Sequence, residues 1–421
     1  MKKYYWIRPS IVLTVMVIFS AAVILSLPAS AAEKEIKVGL LYPVSGPVAS
    51  IGQLCVNGHK FAVDKINAQG GIKSLGGAKI KLVIADTEGK GEVGMAETEK
   101  LIKNENVVAI FGAYQSGVTF PTTQVAEKYK TPFLVGQAVA DPITDRGFKY
   151  TFRTQFKGSW NAIGTLDILK WLGEKSGKPA KTVALLYEDT LWGQSTAKTW
   201  KKKTPDYGLK IVGDFPYSKS ATDLSPTITK IKALKPDALL QISYTTDAIL
   251  LTRTMYELGL NTNARIPSGG GHSDPRFLEA VGDMAENIIV NLMWHHTLKG
   301  PGTKVQDTNA AFKKIYGDDL DDYSASAYSI TWVLKDALER AGSTDKEKLR
   351  DAISKTNIDI HNSPSIYPYA LKFDKTGQDP VATGVATQYQ NGKQVLIWPE
   401  EFAAAKPVFP MPTWKERGLR K

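Results

Sequence analysis

The chain has 421 residues, 43% of them hydrophobic and 23% charged, and 53 Lys and Arg against 42 Asp and Glu give a formal net charge of +11. That length exceeds what one hydrophobic core usually holds, so two lobes are expected. The single cysteine, Cys55, excludes an intrachain disulfide. The lysines are scattered, with Lys201, Lys202 and Lys203 as the tight run and no interleaved aromatics, which excludes a nucleic-acid patch and reads as a solvated helix face.

Lys2, Lys3 and Arg8 form a basic start, residues 11–27 an apolar run, and Ala29, Ser30, Ala31 and Ala32 a small-residue A-x-A site. This pattern predicts a cleavable export signal over residues 1–32, cut after Ala31 or Ala32. An uncleaved anchor is the alternative, because the run reaches the lower length limit for a membrane span. No cysteine stands at the junction for a lipid anchor. Loss of the signal removes three positive charges and leaves +8 from +11.

Residues 36–42 read as a buried strand, 43–52 as a Gly-, Ser- and Pro-rich loop, and 51–68 as a helix closed by Gln69, Gly70 and Gly71. In α/β proteins the loop from a strand's carboxyl end to the next helix is where ligands bind. Strands follow at 80–85, 107–111 and 132–135, separated by helices near 92–104 and 117–129. A second series starts after Phe152: strands at 182–187, 209–215 and 237–243, with helices near 160–173, 192–203, 223–234 and 246–259. Such alternation predicts parallel sheets flanked by helices. Residues 288–340 hold one strand and two helices, too little for a third core, and an extended 370–398 precedes a Pro-rich tail draped over a lobe. No repeat or low-complexity tract is present.

The run SGPVASIG at 45–52 followed by INAQGGI at 66–72 resembles the amino terminus of periplasmic solute-binding proteins of the leucine/isoleucine/valine class. The run at 187–193, YEDTLWG, is similar to the family's acidic, aromatic-Gly loop, and FGAYQS at 111–116 to its carboxylate-binding loop. The resemblance implies an α/β fold of two lobes joined by three crossovers, lobe one spanning 33–153 and 291–371 and lobe two 154–290 and 372–421. Hinge strands are expected near 152–154, 290–292 and 371–373. It also implies a periplasmic protein, monomeric, without cofactor or metal, which hands a small-molecule ligand to a membrane ABC permease with ATPase subunits. A ligand-binding sensor acting on a partner in trans is the alternative.

Carried over by position, the ligand residues are Tyr114, Gln115, Ser116, Gln137, Ala138, Val139, Trp192, Tyr244, Gly270 and Tyr328. Ser116 begins a helix, where an anion meets unpaired N–H groups; serine is also a common helix N-cap. Trp192 offers a flat wall, and Tyr328 lies in a helical pattern that also suits core packing. Two departures bear on the ligand. Val139 stands where amino-acid binders of this class carry a threonine, and Gly269 or Gly270 where they carry the acid that receives the ammonium. A buried ammonium without a carboxylate is costly, so the expected ligand is a carboxylate lacking the amine, with an aromatic body. Asp189 and Glu188 stand as other sources of that charge, which keeps an amino acid as the alternative.

Enzyme signatures are missing. His272, Ser273 and Asp274 are consecutive and cannot adopt triad geometry, no G-x-S-x-G or Walker A run occurs, and the pair His295 and His296 is expected to point apart on a strand.

Overall fold

The computed structural model describes residues 1–3, 34–298, 304–359 and 364–419, so the expected export signal from residue 4 onward lies outside the described residues. The first sheet is built on β1 (Glu35–Tyr42), which pairs in parallel with β2 (Lys79–Asp86) and β3 (Ile110–Gly112). β4 (Phe133–Val135) and β5 (Thr151–Arg153) complete the order β2-β1-β3-β4-β5. β1 is apolar almost throughout because helices cover both faces of the sheet. Those helices include α1 (Ala49–Ala68), α2 (Gly91–Lys103), α3 (Ser116–Lys128) and the short α4 (Pro142–Asp145).

The second parallel sheet repeats the winding, in the order β7-β6-β8-β9, with β6 (Thr182–Glu188), β7 (Lys210–Tyr217), β8 (Ala238–Ile242) and β9 (Ala264–Pro267). Its helices are α5 (Gly158–Ser176), α6 (Leu191–Lys203), α7 (Ser225–Leu234), α8 (Thr245–Leu258) and α9 (Pro275–Val281). In each sheet the winding reverses beside the first strand, and crevices open at the carboxyl ends of the strands there.

The chain then runs through β10 (Ile289–Leu292), α10 (Lys304–Tyr316), α11 (Asp322–Ala341) and α12 (Lys346–Ser354). α11 lies against α1, and the two backbones approach so closely that a Cβ on Gly58 would sit 2.2 Å from the Ser324 carbonyl oxygen. A buried hydrogen-bonded chain ties this contact to the first sheet: Tyr42 Oη to His59 Nε2 at 3.0 Å, and His59 Nδ1 to Thr331 Oγ1 at 2.7 Å. Burial lowers the His59 pKa to about 3, so the ring is neutral.

β11 (Asn357–Ile358) and β12 (Leu371–Lys372) form a small ribbon, while β13 (Val385–Gln390) and β14 (Lys393–Trp398) join β10 in an antiparallel sheet. The Pro-rich tail lies on the second lobe, where Trp414 is buried and its indole N–H donates to Leu260 O at 2.6 Å.

Two crossovers run side by side. Arg153 N–H donates to Gly377 O at 2.8 Å and Asp379 N–H to Arg153 O at 2.9 Å. The segment 377–379, downstream of the hinge stretch expected at 371–373, therefore runs alongside β5. Its position is set by the fully buried Arg153 guanidinium, which donates to Gln378 Oε1 at 2.7 Å, Ala140 O at 2.8 Å, Thr144 Oγ1 at 2.8 Å and Ala138 O at 3.2 Å.

Candidate ligand-binding cavity

Between the lobes lies a cavity partly open to solvent, bounded by strand-to-helix loops from both sheets and by the start of α11. From the first lobe it is lined by Tyr114 and Ser116 after β3 and by Gln137, Ala138 and Val139 after β4. The second lobe supplies Trp192 after β6, Tyr244 after β8 and Gly270 after β9.

The two sides touch. Ser50 Oγ donates to Asp274 Oδ2 at 2.6 Å, Tyr323 Oη to Gly270 O at 2.6 Å, and Gly158 N–H to Val139 O at 2.6 Å. An aromatic chain crosses the cavity: Trp192 against Tyr244 at 5.2 Å, Tyr244 against Tyr114 at 5.8 Å, and Tyr114 against Tyr323 at 5.6 Å, the last two edge to face.

Ser116 is the first helical residue of α3, after Gln115, and no side chain caps this helix. The Ser116 hydroxyl oxygen accepts from Ala140 N–H at 3.2 Å, which leaves its proton for another acceptor. It is thus a lining residue and not an N-cap. Trp192 lies within the first turn of α6 rather than in a loop. That turn is closed by Glu188, whose carboxylate accepts from Thr190 N–H at 2.7 Å and Gly193 N–H at 2.8 Å. Glu188 is therefore occupied within its own loop, Asp189 is exposed, and neither lines the cavity.

Two of the expected residues lie elsewhere. Gln115 turns its side chain toward Gly89, away from the cavity. Tyr328 is packed in the core against Phe61 at 5.5 Å and Trp332 at 6.1 Å, 2% exposed. The tyrosine of α11 that reaches the cavity is Tyr323, and five residues further on a side chain has turned by about 140° around the helix.

Sequence reading also passed over Gln155, Phe156, Asn161 and Asn291 at the crossovers, Ser268 beside Gly269, and Asp322. In place of Asp189 or Glu188, expected as the other sources of the charge missing at Gly269 or Gly270, the acid that lines the cavity is Asp322. Burial, then the neighbouring charge of Asp321, raises its pKa to about 7, against the main-chain N–H groups of Met293 and Trp294. The capping of α11 falls to Asp321 and Ser324, so Asp322 is not used for it. Lys, Arg and His are absent from the cavity lining; an anion there would rely on N–H and O–H donors.

Glycine at 270 is a steric requirement. Its φ is +61°, and a Cβ would meet the Trp192 ring at 2.3 Å and Ser243 O at 2.5 Å. The indole thus occupies the space into which a side chain at 270 would project.

His295 and His296 do not point apart: they follow β10 in an irregular turn with ring centroids 4.3 Å apart. Among the described residues, no group of three His, Cys, Asp or Glu is placed to hold a metal, and no helix is long and apolar enough to cross a membrane.

The family profile described as periplasmic binding protein matches residues 35–393. The Leu/Ile/Val-binding protein homolog 7 of Brucella abortus (strain 2308) is 32% identical over 390 residues, covering 91% of this chain and 96% of that protein. A leucine-binding protein of Thermotoga maritima superposes with a TM-score of 0.77 at 21% identity, covering 87% of this chain and 99% of the other. An ABC-transporter solute-binding protein of R. palustris, in complex with benzoate, superposes with a TM-score of 0.74 at 22% identity, covering 86% and 95%. At those identities the two solved structures establish the fold alone.

Proposed function

Because the chain belongs to the periplasmic binding protein family, we propose that it is the extracytoplasmic substrate-binding component of an ABC-type importer and takes a small carboxylate with an apolar or aromatic body into its interlobe cavity. The observation that carries this reading is the pairing, in one interlobe cavity, of Ser116 at an uncapped helix start with the aromatic chain from Trp192 to Tyr323. A carboxylate there would accept from the Ser116 hydroxyl and the first-turn N–H groups, favoured by the positive end of the helix dipole. The indole of Trp192 and the ring of Tyr244 would cover its body.

The rest of the reading follows from the family. Export through residues 1–32 would deliver the mature chain to the periplasm. Lobe one, 33–153 with 291–371, and lobe two, 154–290 with 372–421, would close on the ligand about the paired crossovers at Arg153 and β10. The closed form would be what a permease with ATPase subunits recognises. Binding needs no covalent step, so the ligand would be recovered unaltered.

Thermal shift and titration calorimetry of the mature protein against benzoate, short aliphatic acids and leucine test this directly. Ser116→Ala is expected to weaken carboxylate binding by about 1.5–3 kcal/mol, roughly ten- to hundred-fold. Trp192→Ala should weaken aromatic acids more than short aliphatic ones. Small-angle scattering should show a smaller radius of gyration with ligand. Failure of every carboxylate to bind, or conversion of one to product, would refute the reading.

A further inference from the structure

The cavity holds polar groups that a carboxylate alone does not answer. Tyr114 Oη, Trp192 Nε1, Ser268 Oγ, Asn161 Oδ1 and Asp322 Oδ1 are all buried without a hydrogen-bond partner, and all five residues line the same space. Tyr114, Trp192, Ser268 and Asn161 are each more than nine-tenths buried. Buried polar groups are paired in nearly all folded proteins, so a concentration of unpaired ones around one cavity marks what its occupant must supply.

Sorted by chemistry, the set is two-sided. The Trp192 N–H only donates, and the hydroxyls of Tyr114 and Ser268 do either. The Asn161 carbonyl only accepts, and so does Asp322 in its ionised form, above its raised pKa of about 7. A ligand carboxylate answers the donors and leaves Asp322 and Asn161 facing nothing but another anion. Asp321 takes the helix-capping bonds, accepting from Tyr323 N–H at 2.7 Å and Ser324 N–H at 3.0 Å, and although the Asp322 carboxylate meets the main-chain N–H groups of Met293 and Trp294, its Oδ1 has no partner.

We propose that the ligand carries, besides its carboxylate, a hydrogen-bond donor that ends on Asp322, and that Asp322 determines which acids this protein selects. The shared chemistry is an acid bearing a hydroxyl or an ammonium group. This rests on the carboxylate reading above.

Calorimetric titration of the mature protein with benzoate, 3- and 4-hydroxybenzoate and phenylalanine, in wild type and Asp322→Asn, decides it. In wild type at least one donor-bearing acid is expected to bind about tenfold or more tighter than benzoate, the worth of one charge-assisted hydrogen bond. Whether a hydroxybenzoate or phenylalanine leads identifies the donor as hydroxyl or ammonium. Asp322→Asn should bring the ratio of donor-bearing-acid to benzoate affinity down to about one, a change in selectivity that a purely structural role would not produce. If benzoate matches every donor-bearing acid in wild type, or if Asp322→Asn tightens all acids alike, the proposal fails while the carboxylate reading stands. If no acid binds, both fall. Should the variant not fold, the wild-type series decides alone.

Discussion

Gly270 and Trp192 constrain each other: the ring fills the volume that a side chain at 270 would need, and the backbone at 270 has φ +61°. Gly270→Ala is therefore expected to cost about 1–3 kcal/mol in denaturant unfolding, from left-handed strain plus overpacking. Adding Trp192→Ala should recover part of that cost, not all, because the Ser243 carbonyl stays in the way. This coupling was invisible in the sequence, where the glycine loop showed only the lack of an acid. The lining residues that follow β3, β4, β6 and β8 were legible because the family resemblance carried them over by position onto strand-to-helix loops. Asp322 was not, since an acidic residue before a helical pattern reads as a cap, and only the structure gives the capping to Asp321. Tyr323 and Tyr328 share one apolar-periodic stretch, and choosing between them needed the rotation of α11 relative to α1.

At the scale of elements, two contacts hold the cavity loops in place. The α1–α11 contact depends on Gly58, and Gly58→Ala should force the helices apart against the Ser324 carbonyl. A loss of about 1–3 kcal/mol in urea unfolding is expected from that overpacking. The second contact is Arg153, which joins two crossovers to the loop bearing Ala138 and Val139. Arg153→Met would leave Ala138 O buried without a donor, at a cost of about 1–3 kcal/mol, while Ala140 O keeps the Ile143 N–H and Gln378 Oε1 keeps the Thr144 hydroxyl. Arg153→Lys should fall between, because one ammonium cannot reproduce the guanidinium fork. Faster amide exchange at residues 138–140 would locate the damage. β1, β2, β6 and the long helices were readable from periodicity alone. β9, an edge strand of four residues, was not, and β5 was expected only as the hinge strand at 152–154 that the resemblance implied.

For the molecule as a whole, buried histidines and buried carboxyls pull stability in opposite directions with pH. Burial lowers His59 and His295 to about 3, so between about 4 and 6.5 the unfolded chain binds protons there that the folded chain refuses, and stability rises with pH. Burial raises Asp247, Asp322 and Asp379 to about 7, so over the same window the folded chain keeps protons that the unfolded chain has lost, and stability falls with pH. With His272 also lowered by burial, the two sets offset each other, and urea unfolding should give a nearly flat profile from about pH 4.5 to 6.5. Asp247→Asn removes one falling contribution and should tilt the profile so that stability climbs with pH across that window.

The lone thiol has a kinetic consequence. Cys55 is completely buried in α1, close enough to Asp321 and Asp322 at the start of α11 for their charges, after burial itself, to raise its pKa. A disulfide-exchange reagent can attack only a thiolate it can reach, so the native protein is expected to react only as fast as α1 and α11 separate. With one reactive atom in the chain, the colour released by such a reagent should follow a single exponential, a clock for that opening and for nothing else. A ligand bridging the lobes would slow the clock in proportion to its occupancy, so the same unmodified protein would report affinity as a rate.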